Sequence, residues 1–386
     1  METVNSQSLR VLIAPDKFKG TLSAKEAAEA IAAGWRRVRP KDRIELLPIS
    51  DGGDGFGALL GERLGAREIA ASAVDAAHRP LKTRWWWAAE RRTAVIESAA
   101  VIGIALLPPG RFHPFDLDTF GLGKLLRQAA RRRPLASVVG VGGSATNDGG
   151  FGMARALGWR FFDAAGKPIR KWTDLDRLER IERPARAPAL GALRVAVDVR
   201  NRLLGPKGAS RVYGPQKGLQ PEQMPKAEGC LRRLAEKAAS VPGVDPEAAR
   251  LPGSGAAGGL GFGLRAFAGA EIVSGFDLFA EIAGLPERIR AADLVITGEG
   301  ALDETSVRMG KGVGRVGRLC RRFRKPCLAL AGAVSLNAGD KGSPFALAAG
   351  IAPELTSRNA AMRKPAFWLS RLAARAARAW NQRLKA

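Results

Sequence analysis

Short apolar runs alternate with amphipathic stretches along this chain. Residues 9–14 read as a buried strand, and apolar residues at helical spacing follow from about Ser23 to Arg37, with Glu26 three residues after Ser23 as a capping-box start. Residues 44–49 return to strand character. The same alternation predicts a helix near 119–132, then strands at 137–141, 193–199, 293–297 and 327–331. Strands alternating with helices predict an α/β protein. Residues 82–87 and 93–97 instead predict antiparallel strands, and Asp163-Ala-Ala-Gly-Lys-Pro a hairpin turn, so a mixed-sheet second domain is expected there. Residues 358–386 carry eight basic and no acidic residues, with Leu369, Leu372, Ala376, Trp380 and Leu384 at helical spacing. One amphipathic helix is predicted.

A length of 386 residues suggests two or three domains, although no repeat or linker composition marks their boundaries. No apolar run approaches the ~18 residues that span a bilayer, and the N-terminus has no basic-then-apolar leader, so a soluble cytoplasmic protein is expected. Three cysteines without a C-x-x-C pair argue against a disulfide framework and a thiolate zinc site. With only two histidines, acid and base chemistry falls to carboxylates or lysines. The net charge is +25. Such a field attracts phosphates, acidic metabolites, nucleic acid and anionic membranes alike. The basic runs at 131–133 and 321–325 close predicted helices, where cations suit the dipole. The C-terminal helix is expected to pack with its arginines outward, and Trp85-Trp86-Trp87 to serve packing.

Glycine changes the picture. It makes up 46 residues and is clustered after predicted strands. Four loops stand out: Ala14-Pro-Asp-Lys-Phe-Lys-Gly-Thr-Leu-Ser, Ser50-Asp-Gly-Gly-Asp-Gly, Gly142-Gly-Ser-Ala-Thr-Asn-Asp-Gly-Gly and Thr297-Gly-Glu-Gly-Ala-Leu-Asp. Main-chain N–H groups freed by glycine at a helix start bind phosphate oxygens, and strand carboxyl ends are where open α/β sheets bind ligands. Acidic residues among these glycines imply a divalent cation beside the phosphates. Asp198-Val-Arg-Asn and Gly214-Pro-Gln-Lys-Gly add a carboxylate and a lysine. Together these point to phosphoryl transfer. There is no Walker A pattern. Gly-x-Gly-x-x-Gly/Ala occurs at 140–145, 261–266 and 312–317, which keeps a dinucleotide fold as a minor alternative.

In this order and context the motifs, with Gly255-Ala-Ala-Gly-Gly-Leu-Gly and Gly310-Lys311, resemble the bacterial type I glycerate kinase family over about residues 9–335. The resemblance implies a Rossmann-like parallel-sheet domain built from both chain ends, 1–78 and 290–386, an inserted mixed α/β domain, 79–289, and an active site in the cleft between them. It implies ATP-dependent phosphorylation of D-glycerate, for this family usually giving 2-phosphoglycerate. On that basis Asp16, Lys19, Asp51, Asp198 and Lys217 are the candidate catalytic residues. Gly142, Gly143, Ser144, Thr146, Gly298, Gly300 and Lys311 are candidates for nucleotide phosphates. Asp51, Glu299 and Asp303 are candidates for Mg²⁺. The departures are Lys17, Asp54, Arg202 and Glu304; Lys17 and Arg202 could tune the site toward another small hydroxy acid. A basic nucleic-acid-binding protein is the other alternative, although no specific nucleic-acid partner and no membrane are expected. An oligomer is possible.

Overall fold

The computed structural model describes residues 8–53, 55–304, 312–335 and 343–383. In chain order the strands among them are β1 (Arg10–Ile13), β2 (Arg43–Leu46), β3 (Arg67–Val74), β4 (Pro80–Ala88), β5 (Thr93–Glu97), β6 (Ala136–Gly140) and β7 (Arg160–Phe162). They continue with β8 (Arg180–Glu182), β9 (Ala192–Val197), β10 (Glu271–Ser274), β11 (Leu294–Asp303), β12 (Cys327–Ser335) and β13 (Leu347–Ala352). The chain divides into two compact units, Met1–Ser50 with Phe279–Ala386, and Asp51–Leu278. Residues 51–78 therefore stand with the second unit, because β3 pairs with β4 there and the helix Phe56–Arg63 packs on Trp86, where a Cβ on Gly57 would come within 2.1 Å of the indole.

The first unit is an α/β sheet in the order β13-β12-β11-β1-β2 with every neighbour parallel. Numbered within the unit this is 2-1-3-4-5, a doubly wound sheet whose order reverses between β1 and β11. The loop following β1 opens at this switch point. Val11, Leu12 and Ile13, like Leu294, Val295 and Ile296, are buried, as a central strand covered on both faces requires. The helix Ala24–Arg36 starts on the expected capping box: Glu26 N–H donates to Ser23 Oγ, and the Glu26 carboxylate accepts from Ser23 N–H. The C-terminal helix Pro365–Arg383 lays Leu369, Leu372 and Ala376 into the same core and leaves Arg371, Arg375 and Arg378 exposed. It meets the helix Ala24–Arg36 closely, since a Cβ on Gly34 would lie 2.0 Å from Ser370 O.

One boundary differs from the sequence expectation. β11 does not end at Thr297 but stays in register with β12 to Asp303 opposite Ser335. Gly298 permits this, because a Cβ there would sit 2.1 Å from Leu330 O.

The second unit carries a mixed sheet in the order β10-β9-β6-β5-β4-β3, parallel through β5 and antiparallel at β4 and β3. Trp85, Trp86 and Trp87 are buried on β4. A small antiparallel pair, β7 and β8, stands apart. The turn after β7 is tied by Asp163, whose Oδ1 accepts the N–H groups of Ala165 and Lys167. All three cysteines are buried and free.

Candidate functional site

Each unit gathers its own set of the candidate residues at strand carboxyl ends. In the first unit, Asp16 and Lys19 follow β1. Asp16 N–H donates to Gly298 O at 2.8 Å, and Asp16 Oδ1 accepts Lys17 N–H at 2.7 Å. Phe18 is buried beside Gly298, and a Cβ on Gly300 would lie 3.3 Å from Lys19 N, so the first and fourth motifs touch at the switch point. Glu299 and Asp303 are half-buried on β11, and Lys19 is exposed. Gly298 and Gly300 lie within β11 and not at a helix start. Lys311 and Asp54 lie outside the described residues.

In the second unit, residues 51–53 run against the ends of β6 and β9. A Cβ on Gly52 would lie 2.9 Å from Ala196 O, and one on Gly142 would lie 2.8 Å from Gly53 Cα. The Asp51 loop is thereby held beside the glycine loop after β6. Asp51 Oδ1 accepts Gly53 N–H at 3.3 Å. Glu97, the last residue of β5, fixes the far side: its carboxylate accepts Gly55 N–H at 2.9 Å and Gly57 N–H at 3.0 Å, capping the helix Phe56–Arg63. Asp198 is exposed one residue past β9, and its charge, after burial, helps push the Tyr213 hydroxyl up to about 12.

After β6 the chain is pinned by a bridge between Ser144 and Gly103. Ile104 N–H donates to Gly143 O and Ala145 N–H to Ile102 O, both at 2.8 Å. The N–H groups of Gly142, Gly143 and Ser144 donate to no other group among the described residues. Lys217 comes from the single turn Pro215–Lys217, following the helix Ala209–Tyr213. Its Nζ donates to Ser144 Oγ at 3.1 Å and to Thr146 O at 2.6 Å. Asn147 Nδ2 donates to Ser210 Oγ at 2.9 Å, tying the loop to the segment that carries Lys217. Thr146 Oγ1 is buried and has no hydrogen-bond partner among the described residues. Burial brings Lys217 down to about 7, against the opposing charge of Asp148.

The space for this ammonium depends on a strained turn. Ala257, Gly258 and Gly259 are all left-handed, with φ of 53°, 71° and 88°, ahead of the rest of the helix Ala256–Ala268. A Cβ on Gly258 would lie 2.0 Å from Thr146 O and 2.9 Å from Lys217 Nζ. The Gly255-Ala-Ala-Gly-Gly-Leu-Gly motif thus shapes the wall around Lys217.

Two acids in this unit were not singled out by sequence reasoning. Asp148 is fully buried and accepts from Thr119 N–H, Thr119 Oγ, Gly150 N–H and Gly152 N–H at 3.0, 2.8, 3.2 and 2.8 Å. Burial first, then the Asp118 charge, raises it to about 6. A carboxylate just ahead of the helix Phe151–Ala156 is a helix-start signal, but among glycines it reads as a cation signal. Glu97 lacks any local signal, because its partners lie about forty residues away in sequence.

Three open amide donors, a buried orphan hydroxyl and a desolvated ammonium have the chemistry to hold an anion such as phosphate. Among the described residues no three His, Cys, Asp or Glu side chains gather as a metal cluster. Asp51 in the second unit, and Glu299 and Asp303 in the first, carry oxygen ligands of the kind Mg²⁺ takes alongside water and phosphate oxygens. The first Gly-x-Gly-x-x-Gly/Ala segment leads into the pinned segment and the second lies within the helix Ala256–Ala268, so neither has the strand-turn-helix context of dinucleotide binding; the third lies within the helix Gly312–Arg322. No helix among the described residues is long and apolar enough to cross a membrane.

The family model described as Glycerate kinase family matches residues 11–381. The chain is 36% identical over 335 residues to the glycerate 2-kinase of Escherichia coli K12, covering 86% of this chain and 87% of that protein. It is 37% identical over 333 residues to the glycerate kinase of Bacillus subtilis, covering 85% and 86%. A crystal structure described as a glycerate kinase 2 from Salmonella typhimurium LT2 aligns with a TM-score of 0.82 at 31% identity, covering 98% of this chain and all of that one.

Proposed function

The chain belongs to the glycerate kinase family, and we propose that it is a type I enzyme transferring the γ-phosphoryl group of ATP to D-glycerate, giving 2-phosphoglycerate. The observation that carries this reading is the enclosed Lys217 ammonium on Ser144 and Thr146 beside three open N–H groups. In-line transfer needs positioned oxygens, neutralised charge and a group to take the hydroxyl proton. In this reading Gly142, Gly143, Ser144 and Thr146 hold phosphate oxygens, with Lys217, Lys19 and Lys311 supplying positive charge. Asp16 fixes the turn that carries Lys19. The carboxylates for Mg²⁺, which when bound neutralises the charge on phosphate oxygens, are Glu299 and Asp303 in the first unit and Asp51 in the second. Asp198 receives the proton of the attacking hydroxyl.

The test is turnover by the purified chain with ATP and Mg²⁺, offered D-glycerate, L-glycerate and other small hydroxy acids, with the product read by ³¹P NMR. Turnover selective for D-glycerate with phosphate on carbon 2 is expected. Preference for a different hydroxy acid would overturn the substrate assignment and direct attention to half-buried Lys17 and exposed Arg202. A product phosphorylated on carbon 3 would overturn the regiochemistry.

A further inference from the structure

The start of the helix Phe151–Ala156 is where a glycine loop of this kind would ordinarily offer phosphate its N–H groups. Here those donors are taken. Gly150 and Gly152 give their N–H groups to Asp148, and Met153 gives its own to Thr119 Oγ at 2.8 Å. The donors left open lie earlier in the loop, at Gly142, Gly143 and Ser144, next to the Lys217 ammonium. One buried carboxylate links the two places: Asp148 occupies the helix start, and its charge opposes the deprotonation of a lysine bonded to Thr146 O, two residues before it in the same loop.

We propose that Asp148 is a positioning residue for the transfer, closing the helix start to phosphate and holding Lys217 charged against the glycine loop. This rests on the kinase reading of the same site. A carboxylate that accepts four hydrogen bonds while fully buried is fixed in place, so its charge acts from one point. Burial draws Lys217 down to about 7, and the charge of Asp148 works against that fall. The other charged groups facing the pair are Asp118, whose charge raises Asp148, and His78 and Arg155, which sit on Asp118. Without Asp148 the ammonium loses its proton at lower pH, and phosphate loses its cation.

The experiment is the pH profile of kcat/KM from pH 5.5 to 9 for wild type, Asp148→Asn and Lys217→Arg, with thermal melts as the folding control. Asparagine is isosteric and keeps an acceptor toward Thr119 and Gly152 while removing the charge. The basic limb of the wild-type profile is expected near pH 7. In Asp148→Asn it moves acidward by about one unit, so that activity falls roughly tenfold at pH 8 and about twofold at pH 6. In Lys217→Arg, whose charge does not titrate in this range, the limb is absent. A loss in Asp148→Asn that is equal at every pH, or a limb that stays put, overturns the proposal. A wild type without glycerate turnover would instead reject the kinase reading. A second measurement needs no turnover: proton uptake on binding a β,γ-imido ATP analogue, from calorimetry at pH 7.5 in buffers of different ionisation enthalpy. Asp148→Asn should take up a larger fraction of a proton than wild type, and Lys217→Arg less than either; equal uptake by Asp148→Asn and wild type contradicts the proposal.

Discussion

Lys217 shows at the scale of one residue how function and stability oppose each other. Its folded value, about 7, lies below its ordinary 10.5, so the unfolded chain binds more protons between these pH values and stability rises with pH across that window. Lys217→Met removes this dependence. Below pH 7 it should stabilise the fold by an amount on the order of a few kcal/mol, while lowering kcat/KM at least ~100-fold; denaturant midpoints and initial rates check the two effects. Asp198→Asn, at an exposed strand-end position, should leave the melting temperature near wild type and lower kcat ~100-fold or more, with KM little changed. A variant that retains wild-type turnover would remove Asp198 from the proton transfer. Lys217 and Asp51 were legible in the sequence because each sits in a glycine-bracketed motif whose local chemistry survives folding. Asp148 was present in a quoted motif but not understood, since its four donors come from Thr119 and from the helix that follows.

Elements explain where the sequence reading stopped. A strand followed by glycines looked like a strand followed by a loop, yet absent side chains let β11 stay within the ladder as far as Asp303. Glycine carried two opposite meanings, and only the neighbouring backbone separated them: pairing at Gly298, and close approach at Gly258. Gly258→Ala introduces a Cβ 2.0 Å from Thr146 O at a left-handed φ of 71°. It should destabilise by about 2 kcal/mol or more and weaken nucleotide binding, measurable by denaturation and by calorimetry. Glu97→Ala strips two caps from the helix Phe56–Arg63 and should cost about 1–2 kcal/mol, with the Asp51 loop loosened and KM raised. Capping at Ser23 was fully legible, because both partners lie within one turn.

For the whole molecule, the α/β class and the mixed second sheet followed from periodicity, whereas the division at Ser50 and Leu278 did not. That division depends on β3 pairing with β4 at the far edge of the second sheet, and strand pairing leaves no compositional mark. The net charge of +25 should raise the local concentration of ATP and glycerate, so kcat/KM should fall severalfold between low and high salt. The four arginines of the C-terminal helix accompany an apolar face already used in the first unit's core. The most direct test of the account is an amide TROSY spectrum of glycine- and serine-¹⁵N-labelled protein titrated with the β,γ-imido ATP analogue. Resonances of Gly142, Gly143 and Ser144 should move strongly, while those of Gly150 and Gly152, bonded to Asp148, stay nearly fixed. Movement at Gly150 and Gly152 with the loop amides unmoved would contradict the account.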